Sequence, residues 1–284
     1  MKADCHIHML LDGRNWKTAI DRHRLAPDRK FIRNALAIYQ KQQYTYLRDG
    51  GDRWGVGAAA RAIAPEYGIT YCTPLAPLCK AGHYGSFIGE TYENLREYAD
   101  LVRKTRQNGG DFIKIMISGL MDFNRMGVLT EDSLSPDEIR ELIHISHEEG
   151  FAVMAHCNGA RTMETAAAAG VDSIEHGAYA DADALSAIAE AGTLWVPTLS
   201  TIANLQGTGR FDENAVTAIF ESAAENVQRF SAMGGLLAPG SDAGAWAVPH
   251  GADREYEIFV RLLGEQASEL LNNGICALQK KFHP

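Results

Sequence analysis

Eight times along this chain a short apolar run gives way to a longer stretch with helical periodicity, and few architectures satisfy that order. The strand-like runs lie at 3–8, 45–49, 69–75, 111–118, 151–156, 171–176, 194–198 and 236–242. Helical patterns fall between or after them at 28–42, 57–64, 90–107, 135–149, 161–169, 182–191 and 213–233, with a final pair at 255–263 and 266–280. Ser135-Pro136 reads as an N-cap followed by proline at the first helical position, and Gly170 and Gly192 sit where helices end in left-handed backbone. Such alternation implies a parallel sheet with helices packed outside it. Eight units, with no glycine-rich dinucleotide turn after the first strand, favour an α/β fold of the (β/α)8 TIM-barrel type over an open doubly wound sheet. The chain has 284 residues, 46% of them hydrophobic, and no low-complexity linker. The expectation is one barrel domain over residues 1–284.

A barrel brings the C-terminal ends of its strands to one mouth, where such enzymes keep their chemistry. The polar residues fall there. His6 and His8 end the first strand and, being two apart in extended chain, share a face about 6–7 Å apart along the backbone. That spacing lets two imidazoles converge on one ion, although H-x-H alone also describes two surface histidines. His156, His176 and Asp242 end the fifth, sixth and eighth strands, and Lys114 lies within the fourth. Histidines with a carboxylate are the donor set of a borderline metal such as zinc. In the run 112–117 three isoleucines share the face toward the helices, which turns Lys114 inward. Burial depresses a lysine pKa. Lys114 is then either half of a buried ion pair or a neutral amine able to take up carbon dioxide, giving a carbamate that can bridge two cations.

Charge and cysteine content narrow the partners. A net charge of −9 argues against nucleic acid as the main ligand, and no apolar run approaches the roughly 18 residues of a membrane span. The first strand begins almost at Met1, so no signal peptide is expected. Cys5, Cys72, Cys79, Cys157 and Cys276 are odd in number and form no C-x-x-C, which suits reduced thiols in the cytoplasm. Cys5 and Cys157 adjoin candidate ligands but should face the other way, as small packing residues.

Taken together, Asp4-Cys-His-Ile-His8, Leu47-Arg-Asp-Gly-Gly51, Gly82-His83, Phe112-Ile-Lys-Ile115 with Ser118-Gly119, Ala155-His156, the run 169–177, Val196-Pro-Thr-Leu199 and Gly240-Ser-Asp-Ala-Gly244 resemble the amidohydrolase superfamily. The likeness is to its imidazolonepropionase-like and Xaa-Pro-dipeptidase-like branch, and it runs in order over nearly the whole chain. The resemblance implies two divalent ions, zinc by default. His6, His8 and Asp242 would hold one, His156 and His176 the other, with carbamylated Lys114 and a hydroxide between them. It further implies Asp242 as general acid and base, His83 as a carbonyl polariser or substrate contact, and His250 as a substrate contact. Arg48 would serve a structural or a substrate-carboxylate role, the plainer reading being an ion pair at the barrel rim. Glu175, next to His176, should point away from the metals, and His144 and His147 read as surface residues.

The implied function is hydrolysis of an amide or peptide bond in a small molecule, a dipeptide or N-acyl amino acid. A cyclic amide, lactone or ester would use the same site. A single-metal deaminase fits less well, because of Lys114. A non-catalytic binding relative and a metal-barrel nuclease are competing classes; the complete ligand set opposes the first and the acidic balance the second. Many relatives of this branch carry a small β-sandwich. None is expected here, and the surface it would cover is expected to need a second copy of the chain.

Overall fold

The computed structural model describes residues 1–282. Nine strands are formed among them: β1 (Ala3–Ile7), β2 (Tyr46–Asp49), β3 (Thr70–Cys72), β4 (Leu78–Lys80), β5 (Glu90–Tyr92), β6 (Ile113–Met116), β7 (Val153–Cys157), β8 (Ser173–His176) and β9 (Leu194–Val196). All pair in parallel, in the orders β1-β2-β3 and β5-β4-β6-β7-β8-β9. Helices connect most of them, giving an α/β architecture of the barrel type.

Two seams join the sheets. At one, Asp111 N donates to Thr73 O (3.0 Å), linking the end of β3 to the start of β6. At the other, residues 236–243 run between β9 and β1. Trp195 N donates to Leu236 O (2.9 Å), Ala238 N to Trp195 O (3.0 Å), Cys5 N to Pro239 O (2.8 Å) and Asp242 N to His6 O (2.8 Å). The sequence expects a strand at 236–242. The structure keeps only isolated bridges there, Trp195↔Leu237 and Ile7↔Ala243. Pro239 has no N–H to donate, so a regular ladder cannot run through it.

A second difference lies at 90–107, expected as one helical stretch. Glu90–Tyr92 is strand β5, paired with β4, and the helix spans Leu95–Gln107. Asn94 decides the boundary: its side chain accepts from Arg96 N and Glu97 N, satisfying two free amides of the first turn. Strand β4 forms between the expected strand at 69–75 and the expected helical stretch at 90–107, where no element is expected. Helices Trp16–His23 and Leu199–Ala203 were also not expected. Ser135 does cap helix Pro136–Glu148, accepting from Glu138 N, and Gly170 and Gly192 have φ of +83° and +64° after their helices.

Ile113, Ile115 and Ile117 pack outward with Tyr98, Leu142 and Ile143 of the surrounding helices. The N-terminal ends of the strands are closed differently. Ala3, Tyr46, Phe112, Met154, Leu194 and Ala238 form one cluster with Ile275, Leu278 and Phe282 of helix Ala267–Phe282, which plugs that end. Removing a ring such as Phe282 from a packed core costs about 3–5 kcal/mol. Chemistry is left to the opposite end. No described helix is long and apolar enough to cross a membrane.

Candidate metal centre

The strand ends deliver three ligands to one point. His6 Nε2 and His8 Nε2 are 3.3 Å apart, and Asp242 Oδ1 is 3.5 Å from the first and 3.3 Å from the second. Donors about 2.0–2.1 Å from a tetrahedral ion are separated by roughly 3.3–3.4 Å, so the triangle has the size a zinc-type ion requires. Three buried polar atoms of the site have no hydrogen-bond partner among the described residues: His8 Nδ1, Asp242 Oδ1 and Lys114 Nζ. Buried polar atoms are ordinarily satisfied, and each exception asks for an explanation such as an ion. Burial also pushes all four histidines down, His8 and His156 to about 3, and His6 and His176 well below their ordinary range. They are neutral at working pH and carry a free lone pair. The donor set fits a divalent metal.

The backbone is shaped around this point. His176 and Asp242, like Thr198 at the end of β9, have φ of +66°, +57° and +50°. Left-handed backbone costs a non-glycine residue of order 1–3 kcal/mol and clusters at functional sites. Here it turns each strand end at the mouth. Gly50 has no side chain because a Cβ there would collide with the His8 ring, and a Cβ on Gly240 would collide with His6 and Val196.

Each histidine is held from behind. His6 Nδ1 donates to Glu175 Oε2 (2.7 Å), which leaves Nε2 free for the triangle. Glu175 is itself anchored through Oε1, which accepts from Arg48 Nη2 (2.8 Å) and Ser173 Oγ (2.6 Å). A carboxylate behind a ligating histidine fixes its tautomer and ring orientation. His176 Nδ1 is 2.7 Å from Thr198 Oγ1. His156 Nε2 donates to Gly119 O (3.1 Å), as does Asn158 Nδ2 (3.0 Å), so the open nitrogen of His156 is Nδ1. The His176 ring lies 5.0 Å from that of His6 and 4.6 Å from that of His156. Among the described residues, one group alone has its ligand atoms within bonding reach of a common ion, namely His6, His8 and Asp242; His156 and His176 stand beside it.

Lys114 projects inward from β6 at 1% exposure. It makes no hydrogen bond or ion pair among the described residues, and desolvation lowers its pKa to about 8. Asp242 is pushed the other way, well above the carboxylate range, chiefly by burial. His6, His8, Lys114, His156, His176 and Asp242 all line one cavity of about 560 Å³.

Three expected substrate contacts do not reach that cavity. Arg48 is fully buried beneath it, bonded to Cys5 O, Ser173 and Glu175, so it is neither a carboxylate clamp nor a rim ion pair. His83 turns toward Glu131 at 3.5 Å, and its neighbour Tyr84 takes the inward place, its ring 4.8 Å from that of His156. His250 is fixed outside the cavity by Leu11 O (2.9 Å) and the Tyr39 hydroxyl (3.3 Å). Glu175 points inward, not away. Asn158 is the omission that sequence could have supplied, since it follows His156 by two in the same strand exit. His147 is a surface residue, bonded to Asp172.

Comparisons with known proteins bear on family and fold. The Amidohydrolase family matches residues 45–245. Ochratoxinase from Aspergillus niger is 28% identical over 153 residues, a match spanning 50% of this chain and 28% of that protein. The chain thus aligns with under a third of that curated relative's length. Among solved structures, a Xaa-Pro dipeptidase with bound methionine superposes with a TM-score of 0.77 at 21% identity, covering 99% of this chain and 74% of that one. The Aspergillus niger ochratoxinase structure gives 0.76 at 21%, covering 97% and 70%. The chain belongs to the amidohydrolase family.

Proposed function

We propose that this amidohydrolase-family chain is a metal-dependent hydrolase that cleaves an amide or peptide bond in a small molecule, such as a dipeptide or an N-acyl amino acid. One observation carries the reading: the triangle of His6 Nε2, His8 Nε2 and Asp242 Oδ1, sized for an ion and set in the floor of a cavity. The names of the similar proteins, a dipeptidase and ochratoxinase, support the reaction class. His6, His8 and Asp242 would hold one divalent ion, zinc by default, and His156 and His176 a second, with Lys114 as a carbamate between them. Such ions supply the Lewis acidity that polarises a carbonyl and makes water nucleophilic near neutral pH.

The chain's own groups do the rest. Glu175 keeps the His6 proton on Nδ1. The Asp242 carboxylate, buried and raised in pKa, takes the proton of the attacking water at an Oδ atom and returns it to the departing amine. Lys114, with its pKa near 8, presents enough neutral amine to add to carbon dioxide and release one proton. Apolar walls around the floor exclude bulk water and strengthen each of these interactions. Cys5, Cys72, Cys79 and Cys157 are buried unpaired thiols, in keeping with a reducing, cytoplasmic location.

The test is elemental analysis of metal-replete protein together with turnover on a panel of N-acyl amino acids and dipeptides. The expected result is up to two ions per chain and hydrolysis of some panel members. Protein that retains no metal after loading overturns the reading.

A further inference from the structure

One buried carboxylate stands apart from the proposed ligands and still reaches the chain on both sides of them. Glu255, on helix Arg254–Leu263, is 2% exposed and makes no ion pair among the described residues. Its Oε1 accepts from Leu199 N (3.0 Å) and its Oε2 from Ser200 N (2.7 Å). These are free amides in the first turn of helix Leu199–Ala203. A threonine in front of a helix ordinarily caps that turn with its own hydroxyl, and Thr198 makes no such bond. Its backbone is left-handed, with φ of +50°, and its Oγ1 lies 2.7 Å from His176 Nδ1 instead. A proton held at Nδ1 leaves the lone pair of His176 Nε2 for an ion. The same carboxylate reaches Asp242 through Ser200. Ser200 Oγ stands 2.7 Å from Glu255 Oε2 and 3.0 Å from Ser241 O, so the hydroxyl bridges the carboxylate and the carbonyl of the peptide that leads into Asp242. The rest of Ser241 is held from β1: its N donates to Asp4 Oδ1 (2.8 Å) and its Oγ to Asp4 Oδ2 (2.6 Å). Helix Arg254–Leu263 is tied to β1 as well, since the Tyr256 hydroxyl accepts from Ala3 N (3.0 Å) and donates to Ala3 O (2.9 Å).

The geometry points to Glu255 as a positioning residue of the metal centre, a single carboxylate that fixes both the backing of His176 and the approach of the chain to Asp242. The inference rests on the hydrolase reading for what those two residues do, but not for how they are held. Left-handed backbone at Thr198 and Asp242 persists only where the surroundings over-determine it. Glu255 acts one residue from each, directly at Leu199 and through Ser200 at Ser241. By capping the short helix from outside it also relieves Thr198 of that task and leaves the hydroxyl to His176. A purely structural tie between two helices would need no threonine turned away from its own helix. His156, held by Gly119 O, lies outside this network and serves as an internal control.

The test uses the intact chain and three variants of nearly unchanged shape. Glu255→Gln turns one acceptor oxygen into a donor that faces a backbone N–H. Thr198→Val removes only the hydroxyl at His176, and Ser200→Ala only the bridge to Ser241. Two quantities are measured: the ring-nitrogen NMR shifts of His176 and His156 in metal-free protein, and zinc affinity by competition with a chelator. Glu255→Gln should move the His176 shifts, leave those of His156 in place and weaken zinc binding by about 10–100-fold, the usual range for loss of an outer contact. Thr198→Val should reproduce the movement of His176. Ser200→Ala should weaken zinc binding with His176 unmoved. Parent shifts and parent zinc affinity in Glu255→Gln overturn the proposal and leave Glu255 a tie between helices. Equal movement of His156 and His176 overturns it too, as the mark of a general loosening. Should Glu255→Gln fail to fold, the other two variants decide: the proposal falls if Thr198→Val leaves His176 unmoved or Ser200→Ala leaves zinc affinity unaltered. A parent chain that binds no zinc sinks the hydrolase reading, and the His176 shifts then decide the positioning role alone.

Discussion

Arg48 and Lys114 both project into the barrel interior, from β2 and β6, and both are essentially hidden from water. Arg48 is compensated on three sides: Nε to Cys5 O at 2.7 Å, Nη1 to Ser173 Oγ at 2.9 Å and Nη2 to Glu175 Oε1 at 2.8 Å, with Phe282 stacked 4.5 Å away. Lys114 Nζ has no partner at all among the described residues. Taking a charge out of water is expensive unless it is paired and hydrogen-bonded. The lower layer of the barrel meets that condition within itself. The upper layer leaves it unmet in the histidine-lined cavity, where a group from outside can complete it. The contrast separates a structural cation from one kept available for chemistry.

The strongest way to break this contrast is to remove Lys114. Lys114→Ala should lose the second ion and lower turnover by about three orders of magnitude or more, the scale of several kcal/mol of lost charge stabilisation. Stability of the metal-free protein should not fall sharply near neutral pH, because no pairing is lost and the cost of the buried charge is removed. A short carboxylic acid added to the variant should restore part of both metal content and rate. Unchanged metal stoichiometry with a sharp loss of stability would mean that Lys114 is structural after all.

Arg48→Met tests the other half. It leaves Glu175 buried beside no cation, a change that costs about 3–5 kcal/mol in comparable sites. Chemical denaturation should show that loss even without metal. A drop below about 1 kcal/mol would place Arg48 outside the structural layer.

These two cations also show how far the sequence was legible. Strand periodicity turned Lys114 inward correctly, and the two-residue spacing put His6 and His8 on one face. The strand ends placed His176 and Asp242 at the mouth. Of the two roles the sequence leaves open for Arg48, the structure favours the structural one, and sequence alone does not choose between them because its partner Glu175 lies 127 residues away in the chain. For Glu175 it is the direction of the side chain that differs from expectation. Strand alternation sends Ser173 and Glu175 to the barrel interior, whereas His176 reaches the mouth only through left-handed backbone that no periodicity signals. His83 and Tyr84 sit in a loop, where nothing fixes which of two adjacent side chains turns inward. The aromatics of the cavity wall, Trp16, Phe87, Phe123, Phe211 and Trp246, come from the start of one helix and from separate loops, and share no pattern along the chain.

A titration sharpens the comparison further. Lys114 has its folded-state pKa lowered from 10.5 to about 8 by burial. Below pH 8 both the folded and unfolded chains carry the proton, and the folded state bears the full cost of the buried charge. Between about 8 and 10.5 the unfolded chain binds more protons, so metal-free stability should rise with pH across that window. The rise is at most about 3 kcal/mol for a shift of this size. Lys114→Met should abolish it. Equal pH slopes for parent and variant would show that Lys114 does not titrate there.

The smallest effect is expected where the two layers meet, at Glu175. One oxygen accepts from His6 Nδ1 and the other from Arg48 and Ser173. In Glu175→Gln one of those oxygens becomes an NH2. If the amide nitrogen faces Arg48, donor meets donor in the lower layer. If it faces His6, the proton must leave Nδ1 for Nε2, which removes the lone pair from the triangle. The variant is nearly isosteric and should still fold, though less stably. Loss of such an outer contact typically weakens metal binding by about 10–100-fold. Competition with a chelator of known affinity would measure that loss. The nitrogen NMR shifts of His6 in the metal-free protein would show whether its proton has moved. Unaltered metal affinity together with an unaltered His6 tautomer would mean that Glu175 belongs to the lower layer alone, and that the two layers are not coupled through it.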